Sequence, residues 1–269
     1  MNSYLRFFLR FSLFILVGYI AVCALVYFNQ ESLLFHPERV SSKEQYDFGI
    51  PYSEKRIQVE RGIGLHGVLF ETPQPKGLVF FVHGNSGNVS DLKGPAEFYT
   101  GLGYDFFTFD YRGFGKSNGI IANETVFYQD VQLVYNALKK SYPEKTIIVA
   151  GYSVGTAAAA KLAAENNPKK LLLMAPYYSM EELAGSHYPF IPGFLVHYKF
   201  ETFRFLQQVK VPVLIGHGTN DGTIPLGQSL KLKRLLKQSG RYVVLTGEGH
   251  NGVQNNPEFE LEIARFLEK

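Results

Sequence analysis

A single cysteine, Cys23, is all the thiol chemistry available to these 269 residues. That excludes both an internal disulfide framework and a cysteine-ligated metal site, and it leaves the redox compartment open. Excess charge is also scarce. A formal net charge of +3, no run of Lys or Arg, and no basic stripe interleaved with aromatics argue against nucleic acid as a partner. No His/Asp/Glu cluster has metal-ligand spacing, no Gly-rich loop ends in Lys-Ser/Thr to cradle a phosphate, and no cofactor is called for. Gly62-Ile63-Gly64-Leu65-His66-Gly67 formally matches a dinucleotide fingerprint, but Val68-Leu69-Phe70 continues as strand where that fingerprint needs a helix. A hairpin is the better reading. No internal repeat is visible, and no low-complexity tract beyond the four alanines at 157–160.

What is present is apolar: 46% of residues, which argues against extensive disorder and gives a chain of this length a substantial core in one large α/β domain or two small ones. Residues 11–28 carry no charge. As a helix they span about 27 Å, close to the hydrocarbon thickness of a bilayer. Arg6 and Arg10 would also suit the start of a signal peptide, but the run is long for one and ends in bulky Tyr27-Phe28. A lipoprotein reading needs a small residue before Cys23 and finds Val22. An uncleaved single-pass anchor is therefore expected, with the N-terminus cytoplasmic and the remainder on the outer side; Arg39 and Lys43 just beyond the span weigh against that orientation without reversing it. The chain divides into a stub and anchor (1–28), a connector (29–54) and a catalytic domain (55–269).

Two strands, 55–60 and 65–71, open that last part, and from residue 77 strands and helices alternate. Strands are expected at 77–82, 104–110, 146–150, 170–174, 211–216 and 242–245, with helices at 91–100, 123–141, 156–165, 226–238 and 257–267. A leading hairpin followed by this rhythm gives a mostly parallel sheet with helices on both faces. Residues 177–208 interrupt it. They are too many for a simple connection of about 2–6 residues, so they should form a cap with structure of its own, broken near Pro189, Pro192 and Gly193.

The chemistry centres on Thr146 to Glu165, a buried strand and an alanine-rich helix joined by Gly151-Tyr152-Ser153-Val154-Gly155. A serine on so sharp a turn exposes its hydroxyl next to a helix N-terminus, the setting of a nucleophile. A second Gly-x-Ser-x-Gly copy, Gly115 to Gly119, lies in a loop with no helix directly after it, so Ser117 is read as structural. Ser153 needs a histidine base and an acid, in the order Ser, Asp/Glu, His for such a fold. Beyond Ser153 the only aspartate is Asp221, and the only histidine past Asp221 is His250, each just after an expected strand. Glu181 and Glu182 are fallback acids. Backbone N–H groups of Val154 and, from the loop His83-Gly84-Asn85-Ser86-Gly87-Asn88, of Asn85 are expected to form an oxyanion hole; His83 is read as bracing that loop.

Together with Asp110-Tyr111-Arg112-Gly113-Phe114-Gly115-Lys116-Ser117, His217-Gly218-Thr219-Asn220-Asp221 and Gly249-His250, these motifs make residues 30–269 resemble the alpha/beta-hydrolase superfamily, in its branch of membrane-anchored, short-cap serine hydrolases. The resemblance implies an eight-stranded sheet with its second strand antiparallel, a cap after the sixth strand, and a structural turn at Asp110-Tyr111-Arg112-Gly113. The activity expected is hydrolysis of a small acyl ester, thioester or amide through an acyl-enzyme. A peptidase of the same fold and a non-catalytic binding protein remain alternatives. The cap should overhang Ser153, with Tyr188 and Phe190 lining an apolar slot for an acyl chain.

Overall fold

A strand that is apolar at successive positions has no face to offer water, so such strands stack into a sheet covered on both faces. The computed structural model describes residues 3–268. It begins with a long helix α1 (Ser3–Phe28), a short α2 (Gln30–Leu34) and a two-residue strand β1 (His36–Pro37). The hairpin β2 (Ser53–Glu60) and β3 (Ile63–Phe70) follows, then β4 (Leu78–Val82), β5 (Ser86–Gly87), α3 (Lys93–Gly101), β6 (Asp105–Phe109) and α4 (Glu124–Leu138). The elbow elements are β7 (Ile147–Tyr152) and α5 (Gly155–Glu165). After β8 (Lys170–Met174) come cap helices α6 (Met180–His187) and α7 (Thr202–Leu206), then β9 (Val213–Gly218), α8 (Leu226–Lys233), β10 (Arg241–Leu245) and α9 (Pro257–Glu268).

Eight strands pair in the order β10-β9-β8-β7-β4-β6-β3-β2. All neighbours are parallel except β3, which runs antiparallel to both β2 and β6. This is the mostly parallel eight-stranded sheet expected, with the second strand reversed and the cap after the sixth. Alternate residues of β4 supply two cores: Leu78, Phe80 and Val82 pack on the face carrying α4 and α5, Val79 and Phe81 on the face carrying α3 and α9. Ala157–Ala160 are fully buried, and their small side chains let α5 lie close on the sheet.

Residues 29–54, expected to be a connector, carry structure of their own. β1 pairs in parallel with β5, setting His36 beside Ser86 and Pro37 beside Gly87. Phe35 is buried among Phe114, Phe127, Tyr198 and Phe200, at ring-centroid distances of 5.7 to 6.5 Å. The apolar span likewise exceeds the uncharged run: α1 has 26 residues and includes Arg6 and Arg10, because a helix needs backbone continuity and not unbroken hydrophobicity. It exposes its large side chains along most of its length. α8 is shorter than the spacing predicted, ending at Lys233 with turns carrying the chain on to Gly240.

Candidate active site

The site is assembled at the carboxyl ends of β4, β7, β9 and β10, where an open α/β sheet leaves its loops free to converge. Ser153 sits between β7 and α5 with φ +51°, a left-handed conformation that a serine adopts only under constraint. Its N–H donates to the Met174 carbonyl (3.0 Å), and its own carbonyl accepts from the Thr156 N–H (3.0 Å) and hydroxyl (2.6 Å). Glycine is needed on either side. A Cβ on Gly151 would lie 2.7 Å from the Ala159 Cβ, and one on Gly155 would collide with the Val82 and His83 carbonyls. The tightness of the elbow is therefore built from sequence.

Ser153, Asp221 and His250 come together. The Ser153 hydroxyl donates to His250 Nε2 (3.0 Å), and His250 Nδ1 donates to Asp221 Oδ2 (2.7 Å). Burial opposes ionisation of Asp221. Hydrogen bonds from His217, His250 and the Ile224 N–H outweigh it and hold the carboxyl well below the usual carboxylate range. The other oxygen, Oδ1, accepts from the N–H groups of Thr223 (2.9 Å) and Ile224 (2.7 Å). An ionised acid with a filled hydrogen-bond shell fixes both the tautomer and the direction of the imidazole.

Asn85 and Ser153 line one cavity of about 250 Å³, shared with His83, Gly84, Tyr152 and His250. Among the described residues, the N–H groups of Asn85 and Val154 donate to no protein acceptor. Asn85 is anchored by its other atoms: its side-chain amide donates to the Leu34 carbonyl (2.6 Å), and its carbonyl accepts from the His36 N–H (2.8 Å). His83 is buried, stacks on Tyr111 with centroids 4.1 Å apart, and has Nδ1 2.9 Å from the Gly84 carbonyl. Burial pushes its pKa down, so the ring stays neutral inside the loop it braces.

The remaining candidates lie elsewhere. Ser117 is buried and donates to the Asp110 carbonyl (2.7 Å) while accepting from the His66 N–H (2.8 Å), a turn-locking role. Glu182 pairs with Lys231 (2.7 Å) and accepts from Gln228 (2.9 Å). None of residues 177–208 lines the Ser153 cavity; Tyr188 and Phe190 line a separate apolar cavity between the cap and the end of α1. Two contributors escaped the sequence reading. His217 Nε2 lies 3.2 Å from Asp221 Oδ2 and 2.8 Å from the Ile224 carbonyl, so it donates toward both. The Tyr152 hydroxyl donates to Asn251 Oδ1 (3.1 Å) and lies 3.3 Å from the His250 carbonyl, steadying the histidine loop. Both stand within quoted motifs, but spacing does not reveal which way a side chain turns.

Comparison with known proteins agrees with this architecture. Residues 73–199 match the family model described as serine aminopeptidase, S33. The chain is 30% identical over 206 residues to human alpha/beta hydrolase domain-containing protein 17B, covering 73% of this chain and 68% of that protein. It is 31% identical over 204 residues to an uncharacterized protein of Mycobacterium tuberculosis (strain ATCC 25618 / H37Rv), covering 72% and 71%. In three dimensions it resembles the Pyrococcus furiosus esterase Pf2001, with a TM-score of 0.71, 20% identity, and coverage of 87% of this chain and 97% of that one. The alpha/beta hydrolase GrgF from Penicillium sp. sh18 gives 0.67 at 17% identity, covering 81% and 98%.

Proposed function

This chain belongs to the alpha/beta-hydrolase superfamily, and on that premise we propose that it is a membrane-anchored serine hydrolase cleaving an ester, thioester or amide through an acyl-enzyme on Ser153. The observation that carries this reading is the continuous hydrogen-bonded line from Asp221 through His250 to Ser153, ending on a serine in left-handed backbone geometry. His250 takes the hydroxyl proton as Oγ bonds to the substrate carbonyl carbon. Negative charge gathers on the carbonyl oxygen, where the free N–H groups of Asn85 and Val154 receive it, each donor lowering the barrier by about 3–4 kcal/mol. The intermediate collapses, and the leaving group departs with the proton from His250. Water then gives a proton to His250, attacks the acyl carbon, and releases the acid with Ser153 restored. Residues 1–28 would anchor the enzyme, with Arg6 and Arg10 holding the N-terminus in the cytoplasm and the catalytic domain on the outer side.

Brief incubation with p-nitrophenyl butyrate, quenching and peptide mass mapping tests the chemistry. The butyryl group is expected on Ser153, and Ser153→Ala should lower kcat by a factor on the order of 10⁶. Butyrylation of another residue, with turnover kept in Ser153→Ala, would overturn it.

A second reading, a serine aminopeptidase, draws on the description of the matching family and on Asp91, an acidic residue that lines the Ser153 cavity and whose Oδ2 accepts from the Asn88 N–H (3.1 Å). Faster release of p-nitroaniline from alanyl than from acetyl p-nitroanilide, abolished in Asp91→Asn, would favour it over the acyl-ester reading.

A further inference from the structure

A transmembrane anchor that served only as a tether would end before the globular domain began. Here it does not. The Tyr19 hydroxyl donates to the Phe190 carbonyl in the cap (2.9 Å), and the Tyr27 ring meets His197 edge-on at 4.0 Å. Just past the helix, Gln30 clasps the cap twice: its amide nitrogen donates to the Leu195 carbonyl (2.7 Å) and its oxygen accepts from the His197 N–H (2.7 Å). The Tyr198 hydroxyl donates to Glu31 (2.9 Å). Anchor, α2 and cap are one assembly.

Between them lies a cavity of about 410 Å³, within the range of small-molecule sites. Its walls include Val22 and Val26 of the anchor, Leu33 and Leu34 of α2, and Tyr188 and Phe190 of the cap. No charged residue lines it, and the Gln30 amide at its edge is already spent on the cap backbone. Such a chamber rewards hydrocarbon and penalises anything that carries charge. Two of its lining side chains are aromatic and exposed, Tyr188 by 57% and Phe190 by 59%, and they stand beside a helix long and apolar enough to cross a bilayer. Aromatic side chains in that position belong at the membrane–water interface.

The chamber and the Ser153 cavity share no lining residue, but one hydrogen bond joins their walls. Leu34 lines the chamber, and the Leu34 carbonyl accepts from Asn85, which lines the Ser153 cavity. We infer that this chamber holds the hydrocarbon chain of a membrane-resident acyl substrate, with the anchor helix itself forming one wall of the substrate site. The inference rests on Ser153 being the nucleophile. The chain would lie against Val22 and Val26, pass over Leu34, and present its acyl carbonyl to Ser153 and the Asn85 N–H. Anchoring then delivers the site to the layer in which its substrate is dissolved.

The test uses the full chain in phosphatidylcholine nanodiscs, with p-nitrophenyl acetate and p-nitrophenyl dodecanoate as probes. The unaltered enzyme should favour dodecanoate at least tenfold in kcat/KM. Val26→Trp from the anchor side and Ala184→Trp from the cap side each fill the chamber, and each should lower the dodecanoate-to-acetate ratio at least tenfold. Labelling of Ser153 by a small fluorophosphonate, measured in parallel, reports that a variant is folded and competent. A ratio unchanged in labelled, active forms of both variants would overturn the chamber while leaving the serine mechanism standing. Failure of Ser153 to label in the unaltered chain would remove the mechanism and the chamber together.

Discussion

Asp221 shows what a single residue contributes. Its carboxyl is held below its ordinary range in the folded chain, whereas in the unfolded chain it titrates near ~3.9. A depressed carboxylate stabilises the fold above its unfolded pKa, and that stabilisation is lost as pH falls toward the folded value. Urea-unfolding midpoints should therefore drop for the unaltered protein between pH 4 and lower pH, and Asp221→Asn should flatten that part of the profile; equal slopes would show that another carboxylate governs it. In activity, Asp221→Asn should lower kcat by about 10³–10⁴ through a mis-set imidazole tautomer, as measured with p-nitrophenyl butyrate. Ser117→Ala should retain kcat within a few-fold and lose stability, since it removes a buried hydrogen-bond pair worth about 1–3 kcal/mol. The order Ser153, Asp221, His250 was legible because so few aspartates and histidines lie beyond the elbow. His217 was not, because its role is a matter of where the ring turns at the end of β9.

Among the elements, the strands buried on both faces were the readable ones. β4 and β7 are continuous apolar runs and β8 is one after Lys170, and all three are buried along their whole length. β1 and β5 were not readable: a two-residue strand has no period, and its pairing depends on the chain returning from 50 residues away. That pairing nonetheless places Leu34 and His36 against Asn85, so the segment following α1 positions one of the two proposed oxyanion donors. Phe35 pins this segment into the core. Phe35→Ala should cost about 3–5 kcal/mol by urea denaturation and, because β1 loosens with it, lower kcat more than it raises KM. A pure KM effect would separate β1 from the oxyanion loop. The cap was legible as an interruption with its own structure, whereas its place beside the anchor was not. Periodicity describes one helix at a time and is silent on which helix docks on which.

At the scale of the whole molecule, a helix of 26 residues and about 39 Å is joined to an eight-stranded hydrolase domain through α2 and the cap. That length exceeds the ~30 Å hydrocarbon layer and allows for tilt, and the helix meets the cap along its C-terminal part, from Tyr19 to Tyr27. The full chain should stay in the membrane fraction after alkaline carbonate extraction, and N-terminal sequencing should recover residues ahead of Ala24; a soluble form beginning at Ala24 or later would replace the anchor with a cleaved signal. The proposed function turns on one serine as nucleophile, and the most direct test is to find it. Treat the full chain with a fluorophosphonate, digest it and map the adduct by mass spectrometry. The modification should lie on Ser153 alone, disappear in Ser153→Ala and persist in Ser117→Ala; an adduct on Ser117, or one that survives Ser153→Ala, would contradict the account.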